Sequence, residues 1–303
     1  YKPWFNAADI QNKGVELSLQ WRDKVREFNY NIIGSLTTIY NTVKYMPMPN
    51  ITGEFNRTIV GQPIGSLYGY VSEGIIQQTE AYYDKNEDGT INLGAYKFPK
   101  QEGVMPKPGD LKYSDLNGDG QVTALDKTII GKTIPGFTYT LGFDCSYKNF
   151  DFSIFLFGIG DFDIYNFQRA TLSSMNTQDQ MHNKLNDFAK NHWTIENAST
   201  KYVRVDPSNT NKNDQISSFW VEDGSFLRIK DLQIGYNLPT KQTKTLGIGS
   251  VRIYANASNL YNFTNYKGRD PEGFVSDNPL NSGVDRGAYP MPRSFTFGLQ
   301  VGF

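Results

Sequence analysis

The chain ends in Phe295-Thr296-Phe297-Gly298-Leu299-Gln300-Val301-Gly302-Phe303, where every odd position is large and apolar and every even one is small or polar. A strict period of two marks a strand with one apolar face. In water, a terminal strand of this kind would template aggregation. In lipid the same face is solvated, so the stretch reads as a membrane strand whose other face looks onto water.

The alternation recurs upstream. Val15, Leu17, Leu19 and Trp21 alternate with polar residues, and after a charged turn at Asp23 to Glu27 the pattern resumes with Phe28, Tyr30, Ile32, Gly34 and Leu36. This is a hairpin pattern. A second hairpin sets Phe137, Tyr139, Leu141, Phe143, Cys145 and Tyr147 against Phe150, Phe152, Ile154 and Leu156, turning at Lys148 and Asn149. Leu232, Ile234 and Tyr236 run down to a tight turn at Pro239, and Val251, Ile253 and Ala255 run back, which makes seven strands with the closing one.

The connections alternate between very short and very long. The turns near Asp23, Lys148 and Pro239 are brief, whereas long stretches separate Asn41 from Gly136, Gly160 from Phe226 and Phe263 from Arg293. Connections of that length are uncommon in compact domains. Short inner turns and long outer loops are the habit of outer-membrane barrels. The fold class expected is therefore all-β, an antiparallel transmembrane β-barrel, with the C-terminus periplasmic and long extracellular loops over 42–135 and 161–225. Seven strands cannot close a barrel, and open edges in lipid leave backbone groups unpaired. The chain also begins with Tyr1 rather than Met, so earlier strands and an N-terminal region are expected upstream. Aromatics near the strand ends, Trp21, Tyr147, Phe150, Tyr236 and Phe303 on the inner side and Tyr40, Tyr261 and Phe263 on the outer, fit two interfacial girdles. In the second long loop, Met181, Leu185 and Phe188 are spaced for a short amphipathic helix.

Composition narrows the function. A net charge of −1 offers no basic footprint for nucleic acid. One cysteine, Cys145, excludes an internal disulfide framework and a cysteine-based zinc site. The two histidines, His182 and His192, do not form a recognisable metal pair. No window approaches the roughly 20 apolar residues of a membrane helix, whereas barrel strands need only about 9 to 11.

The sharpest local motif is Asp115-Leu116-Asn117-Gly118-Asp119-Gly120-Gln121-Val122-Thr123-Ala124-Leu125-Asp126, which follows a twelve-position calcium loop. Asp115, Asn117 and Asp119 supply oxygen donors at the first, third and fifth positions, Gly120 permits the bend, Gln121 offers its carbonyl, and Asp126 stands twelfth. Either the loop holds Ca2+ as a structural ion or it is an Asp/Gly-rich turn. No nucleophile elbow or phosphate loop is present: Gly131-Lys132-Thr133 lacks the earlier glycine, and Asp161 and Asp163 stand at a strand exit where such residues face water. No catalytic residue is assigned.

With these residues in view, the chain resembles the C-terminal barrel portion of SusC/RagA-type TonB-dependent outer-membrane transporters. The resemblance runs through Asn12-Lys13-Gly14-Val15-Glu16-Leu17, Gly109-Asp110-Leu111-Lys112-Tyr113, the Asp115 to Asp126 loop and Ile130-Gly131. It continues in Ser225-Phe226-Leu227-Arg228-Ile229-Lys230, Ile234-Gly235-Tyr236, Asn259-Leu260-Tyr261, Asp270-Pro271-Glu272 and the run from Tyr289 to Gly298. It implies a barrel of about 22 strands closed around a plug in the outer membrane of a Gram-negative bacterium. It also implies energy coupling to TonB through an N-terminal region, a SusD-like surface lipoprotein as partner, and a glycan or peptide as imported substrate. Substrate contacts vary within the family, so none is carried over. The alternative is a secreted β-rich adhesin or glycan-binding module with a calcium-stiffened loop, and a more distant one is a glycoside hydrolase.

Overall fold

The computed structural model describes residues 8–47, 51–78, 83–174, 183–206, 211–245, 247–272, 280 and 282–302. Seven long strands form one antiparallel sheet: β1 (Glu16–Val25), β2 (Phe28–Thr38), β3 (Phe137–Tyr147), β4 (Phe150–Gly160), β5 (Phe226–Asn237), β6 (Ser250–Thr264) and β7 (Ser294–Gly302). They lie side by side in chain order. This is the expected arc of barrel wall.

The register puts the alternating apolar residues on one face. Leu19 stands opposite Gly34, which faces Leu141, which faces Leu156. Further along, Ile154 pairs with Leu232, Leu232 with Ala257 and Ala257 with Phe295. That face is open to its surroundings, with Leu19 at 65% and Phe297 at 83% exposure. Such a band over seven neighbouring strands is stable only against lipid.

The opposite face is mainly polar and bonded across strands, with Ile33, Phe155 and Phe157 as apolar exceptions. Gln20 donates to Asn31 at 2.7 Å and Asn31 to Asp144 at 3.1 Å. Ser35 and Thr140 meet at 2.6 Å, Arg252 pairs with Asp151 at 2.6 Å, and Asn256 donates to Asp231 at 2.7 Å. These cross-strand pairs add to the backbone ladder.

Two connections are as tight as expected, at Arg26-Glu27 and Lys148-Asn149, where Arg26 (φ 56) and Lys148 (φ 52) adopt the left-handed backbone of twist-matched hairpin turns. The first is shorter than the charge pattern implied, because Asp23, Lys24 and Val25 stay in β1 and pair with Tyr30, Asn29 and Phe28. Trp21 consequently lies within the strand rather than at its end, while Tyr147, Phe150 and Tyr236 share the bottom row. Phe303 falls outside the described residues. The third connection is not tight. It runs from Leu238 to Gly249 and contains the short helix α3 (Thr240–Thr245), started by Gln242 N–H donating to the Pro239 carbonyl. Proline lacks the donor to continue a ladder but suits a helix start.

The alternation slips in β5, where Leu227 and Ile229 occupy odd positions and Leu232, Ile234 and Tyr236 even ones. A β-bulge at Lys230 absorbs the slip, since Phe155 pairs with Asp231 and Leu156 with Ile229. Apolar residues above and below the bulge thereby keep to one face.

Beyond the ends of the strands opposite the tight turns, the long connections are not loose loops. Thr128–Gly131, Ser66–Gly69, Asn56–Thr58 and Ile51–Thr52 form a small sheet, Leu111–Tyr113 pairs with Ser72–Ile75, and Asp163–Tyr165 pairs with Val221–Asp223. Leu67, Leu111, Tyr113, Tyr165, Phe188, Trp193 and Trp220 share one buried core, so both long connections fold as a single body. Of the three residues read as a helical face, Phe188 lies buried in α2 (Asn186–Asn191), Leu185 caps that helix half-exposed, and Met181 lies outside the described residues.

Two substitutions on β7 separate the faces. Phe297→Arg should destabilise the folded full-length protein by about 2–4 kcal/mol, as a charge near mid-membrane does, whereas Thr296→Arg should change it little. Urea unfolding in lipid vesicles reads both. Equal effects would contradict the assignment of faces.

Candidate functional site

The functional surface of a barrel wall lies on its polar face and on whatever its strands hold at their ends. Here the body formed by the long connections is locked to the wall by charged groups. Arg228 on β5 is only 3% exposed. Its Nη2 donates to Asp270 Oδ1, and its Nη1 lies 2.7 Å from Glu272 Oε2, an ion-pair distance without hydrogen-bond geometry. The bulge places Lys230 within 2.6 Å of the same Glu272. Asp270 is nearly as buried as Arg228; its Oδ1 takes the Glu272 N–H at 3.0 Å and its Oδ2 the Met291 N–H at 2.9 Å. Asn259, at φ 52, donates to the Pro292 carbonyl at 3.1 Å. Four of the stretches quoted for the resemblance thus meet at one point. Spacing shows none of this pairing, although the slip at Lys230 and the matching two-residue spacings of Arg228/Lys230 and Asp270/Glu272 were readable clues.

A second seam joins the two long connections. Asp110, fully buried, pairs with Arg204 Nε at 2.5 Å and accepts from Asn213 at 3.2 Å, and Asn213 in turn takes the Leu111 N–H at 2.7 Å. Gly109 sits at φ +89, where a Cβ would strike Trp193 and Arg204. Leu111 and Tyr113 enter the core. The stretch from Gly109 to Tyr113 is therefore a packing and charge seam.

A third contact engages residues considered for chemistry. Lys132 Nζ bonds Asp161, and the Lys132 backbone N–H donates to Asp163 Oδ2 at 2.9 Å. Burial raises the Asp163 carboxyl above its ordinary value, against the lowering effect of that N–H. The pair ties the end of one long connection to the start of the next.

In the calcium-like loop, Asp115 takes the N–H groups of Gly118 and Gly120 at 2.7 and 2.8 Å, Asn117 that of Asp119 at 2.8 Å, and Asp119 that of Gln121 at 2.9 Å. Gly118 and Gly120 sit at φ 75 and 84, which opens the bend. Asp115, Asn117, Asp119 and Gln121 thus form one turn system on the outer part of the loop. Asp126 is fully buried; its Oδ1 accepts from Leu116 at 2.9 Å and Asn117 at 3.2 Å, and its Oδ2 from Thr123 at 2.7 Å in a reciprocal cap. Burial pushes this carboxyl up, but the N–H groups of Thr123, Asn117 and Leu116 outweigh it and hold the carboxyl below its ordinary value. The bracing is therefore complete above the ordinary carboxylate range and is lost as pH falls through the lower folded value. Among the described residues no three acidic, histidine or cysteine side chains gather as a metal cage.

The polar face also bounds a cavity of about 710 Å³ near the tight turns, walled by Arg22, Asn31, Asp144, Asp151 and Gln233 among others. Every charged side chain there comes from a barrel strand.

Replacing Arg228 by Leu strands Asp270 and Glu272 without their buried partner, at a cost of about 3–5 kcal/mol. Limited proteolysis of the full-length protein should then cut within 265–293 while the strands stay protected. Cleavage no faster than in the wild type would remove the anchoring role.

No family model matches the chain. It is 31% identical, over 98% of its length, to TonB-dependent receptor P3 of Formosa agariphila, of which the match covers 29%. It is 26% identical, again over 98% of its length, to TonB-dependent receptor SusC of Bacteroides thetaiotaomicron, covering 27% of that protein. The chain thus spans under a third of these relatives. Among solved structures, the RagAB peptide transporter matches with a TM-score of 0.75 at 21% identity, over 98% of this chain and 29% of that one. The RagAB importer in its closed-closed state matches at 0.71 and 22%, over 98% of this chain and 30% of that one. These relatives are named as receptors and transporters, not enzymes. Over nearly its whole length, the chain matches TonB-dependent receptors of the SusC type in sequence and the RagAB transporter barrel in fold.

Proposed function

We propose that the chain supplies wall and outer surface to an outer-membrane importer. The importer is energised through TonB, works with a SusD-like surface lipoprotein, and takes in a bulky glycan or peptide. The carrying observation is the division of the sheet into an apolar face seven strands wide and a polar, cross-bonded face, topped by one folded body. A secreted adhesin would have no use for the apolar face. The tight-turn end and the C-terminus are then periplasmic, and the folded body looks outward. The full-length protein should fractionate with outer membranes and shift its gel mobility on boiling. Its deletion should abolish uptake of one bulky nutrient, and so should collapse of the proton gradient. Uptake that survives both would contradict the reading.

For the Asp115 to Asp126 loop we infer a weakly held Ca2+ taken by the outer half, Asp115, Asn117, Asp119 and the Gln121 carbonyl. Asp126 braces the bend from within. What supports this is the donor spacing together with the glycine-opened turn. Calorimetry of the full-length protein against calcium should show a binding event that Asp115→Ala with Asp119→Ala removes. Identical isotherms would leave only a turn.

A further inference from the structure

A half-open cavity of about 400 Å³ lies on the folded body, between helix α1 (Phe167–Leu172) and the segment that follows β6. Four cationic side chains line it, Arg169, Lys201, Lys267 and Arg269, and among the described residues no acidic one does. Two of the four are already neutralised. Arg169 pairs with Glu222 at 3.0 Å and donates to the Phe219 carbonyl at 3.1 Å, and Lys201 pairs with Asp187 at 2.6 Å. Lys267 and Arg269 are exposed, and among the described residues neither side chain has an acidic partner. Ser173 lines the same cavity. It is fully buried, and among the described residues its Oγ has no hydrogen-bond partner. A buried hydroxyl left without a partner is costly. Sharing one cavity with two cations, it marks a place for an oxygen-rich anionic group.

The lining also bears on the kind of ligand. None of these residues lies in a strand, so the cavity offers no backbone edge on which an extended peptide could add. Recognition falls to side chains: the cations and the hydroxyl, together with Leu172, Leu185 and Tyr202. Tyr202 is fixed by its hydroxyl, which donates to Asp187 at 2.6 Å. We propose that this cavity binds an acidic saccharide, whose carboxylate or sulfate is held by Lys267 and Arg269 with Ser173 as a further donor. The proposal deepens the import reading, on which it rests for the ligand's role as cargo.

Calorimetry on the full-length protein in detergent tests it with four probes: a chondroitin sulfate hexasaccharide, an oligogalacturonate, neutral maltohexaose and hexaglutamate. At least one acidic saccharide should bind, and its affinity should weaken as salt is raised. The double variant Lys267→Gln, Arg269→Gln should lose about tenfold or more while keeping its gel-mobility shift on boiling. Maltohexaose should show no dependence on the variant. Unchanged affinity in the variant, or no binding of either acidic saccharide, would overturn the proposal. So would hexaglutamate binding with the same dependence, which would make the cavity a peptide site. Uptake by cells is scored separately. Variant-sensitive binding without uptake counts against import alone, and uptake indifferent to the variant counts against the cavity alone.

Discussion

Hydrocarbon offers no partner for a peptide N–H or C=O, so each strand that crosses it must bond to a neighbouring strand. That requirement fixes the register of the sheet, and the register decides which side chains meet lipid. A one-residue slip would turn a whole strand's apolar row inward. The bulge at Lys230 shows the constraint at work, because Leu227 and Ile229 reach the same face as Leu232 and Ile234 only through the extra residue. The same bulge brings Lys230 beside Arg228, facing Glu272. A geometric necessity of the wall thus creates the charged grip that holds the last long connection.

The molecule has two apolar systems governed by different solvents. The outward face of the sheet gains nothing from packing on itself and depends on lipid. The folded body above has an ordinary water-driven core around Trp220, Tyr165 and Leu111. Ion pairs and buried polar contacts fasten the connections to the wall and to one another: Arg228 with Asp270, Lys132 with Asp161, and the Tyr266 hydroxyl donating to Asp285 at 2.6 Å. A folded body that must stay positioned over a sheet is well served by such a joint. Its paired charges and hydrogen bonds leave few arrangements open.

The wall was legible because lipid imposes a period of two over long stretches. All seven strands, their order and two of their turns follow from alternation and spacing alone. The turn at Pro239 was not, because a six-residue helix of Thr, Lys and Gln has no apolar face to give a period. The folded body was harder still. Most of its strands are two to four residues long where their burial is described, too short to alternate, and its core is assembled from side chains far apart in the chain. Asp126 shows the limit of motif reading: its position in a calcium-like series was plain, but its burial and its three backbone donors depend on how the loop closes. Likewise, Arg228 and Asp270 were visible as members of separate motifs, and only the fold brings them together.

The central claim is that odd and even positions of the closing strand face different media. Nitroxide labels placed singly from Phe295 to Val301 in the full-length protein, reconstituted in bilayers, test it through collisions with oxygen and with a water-soluble nickel complex. Oxygen access should peak at 295, 297, 299 and 301, with the positions between them out of phase. Nickel access that is uniformly high along the run would show a strand in water and contradict the membrane wall.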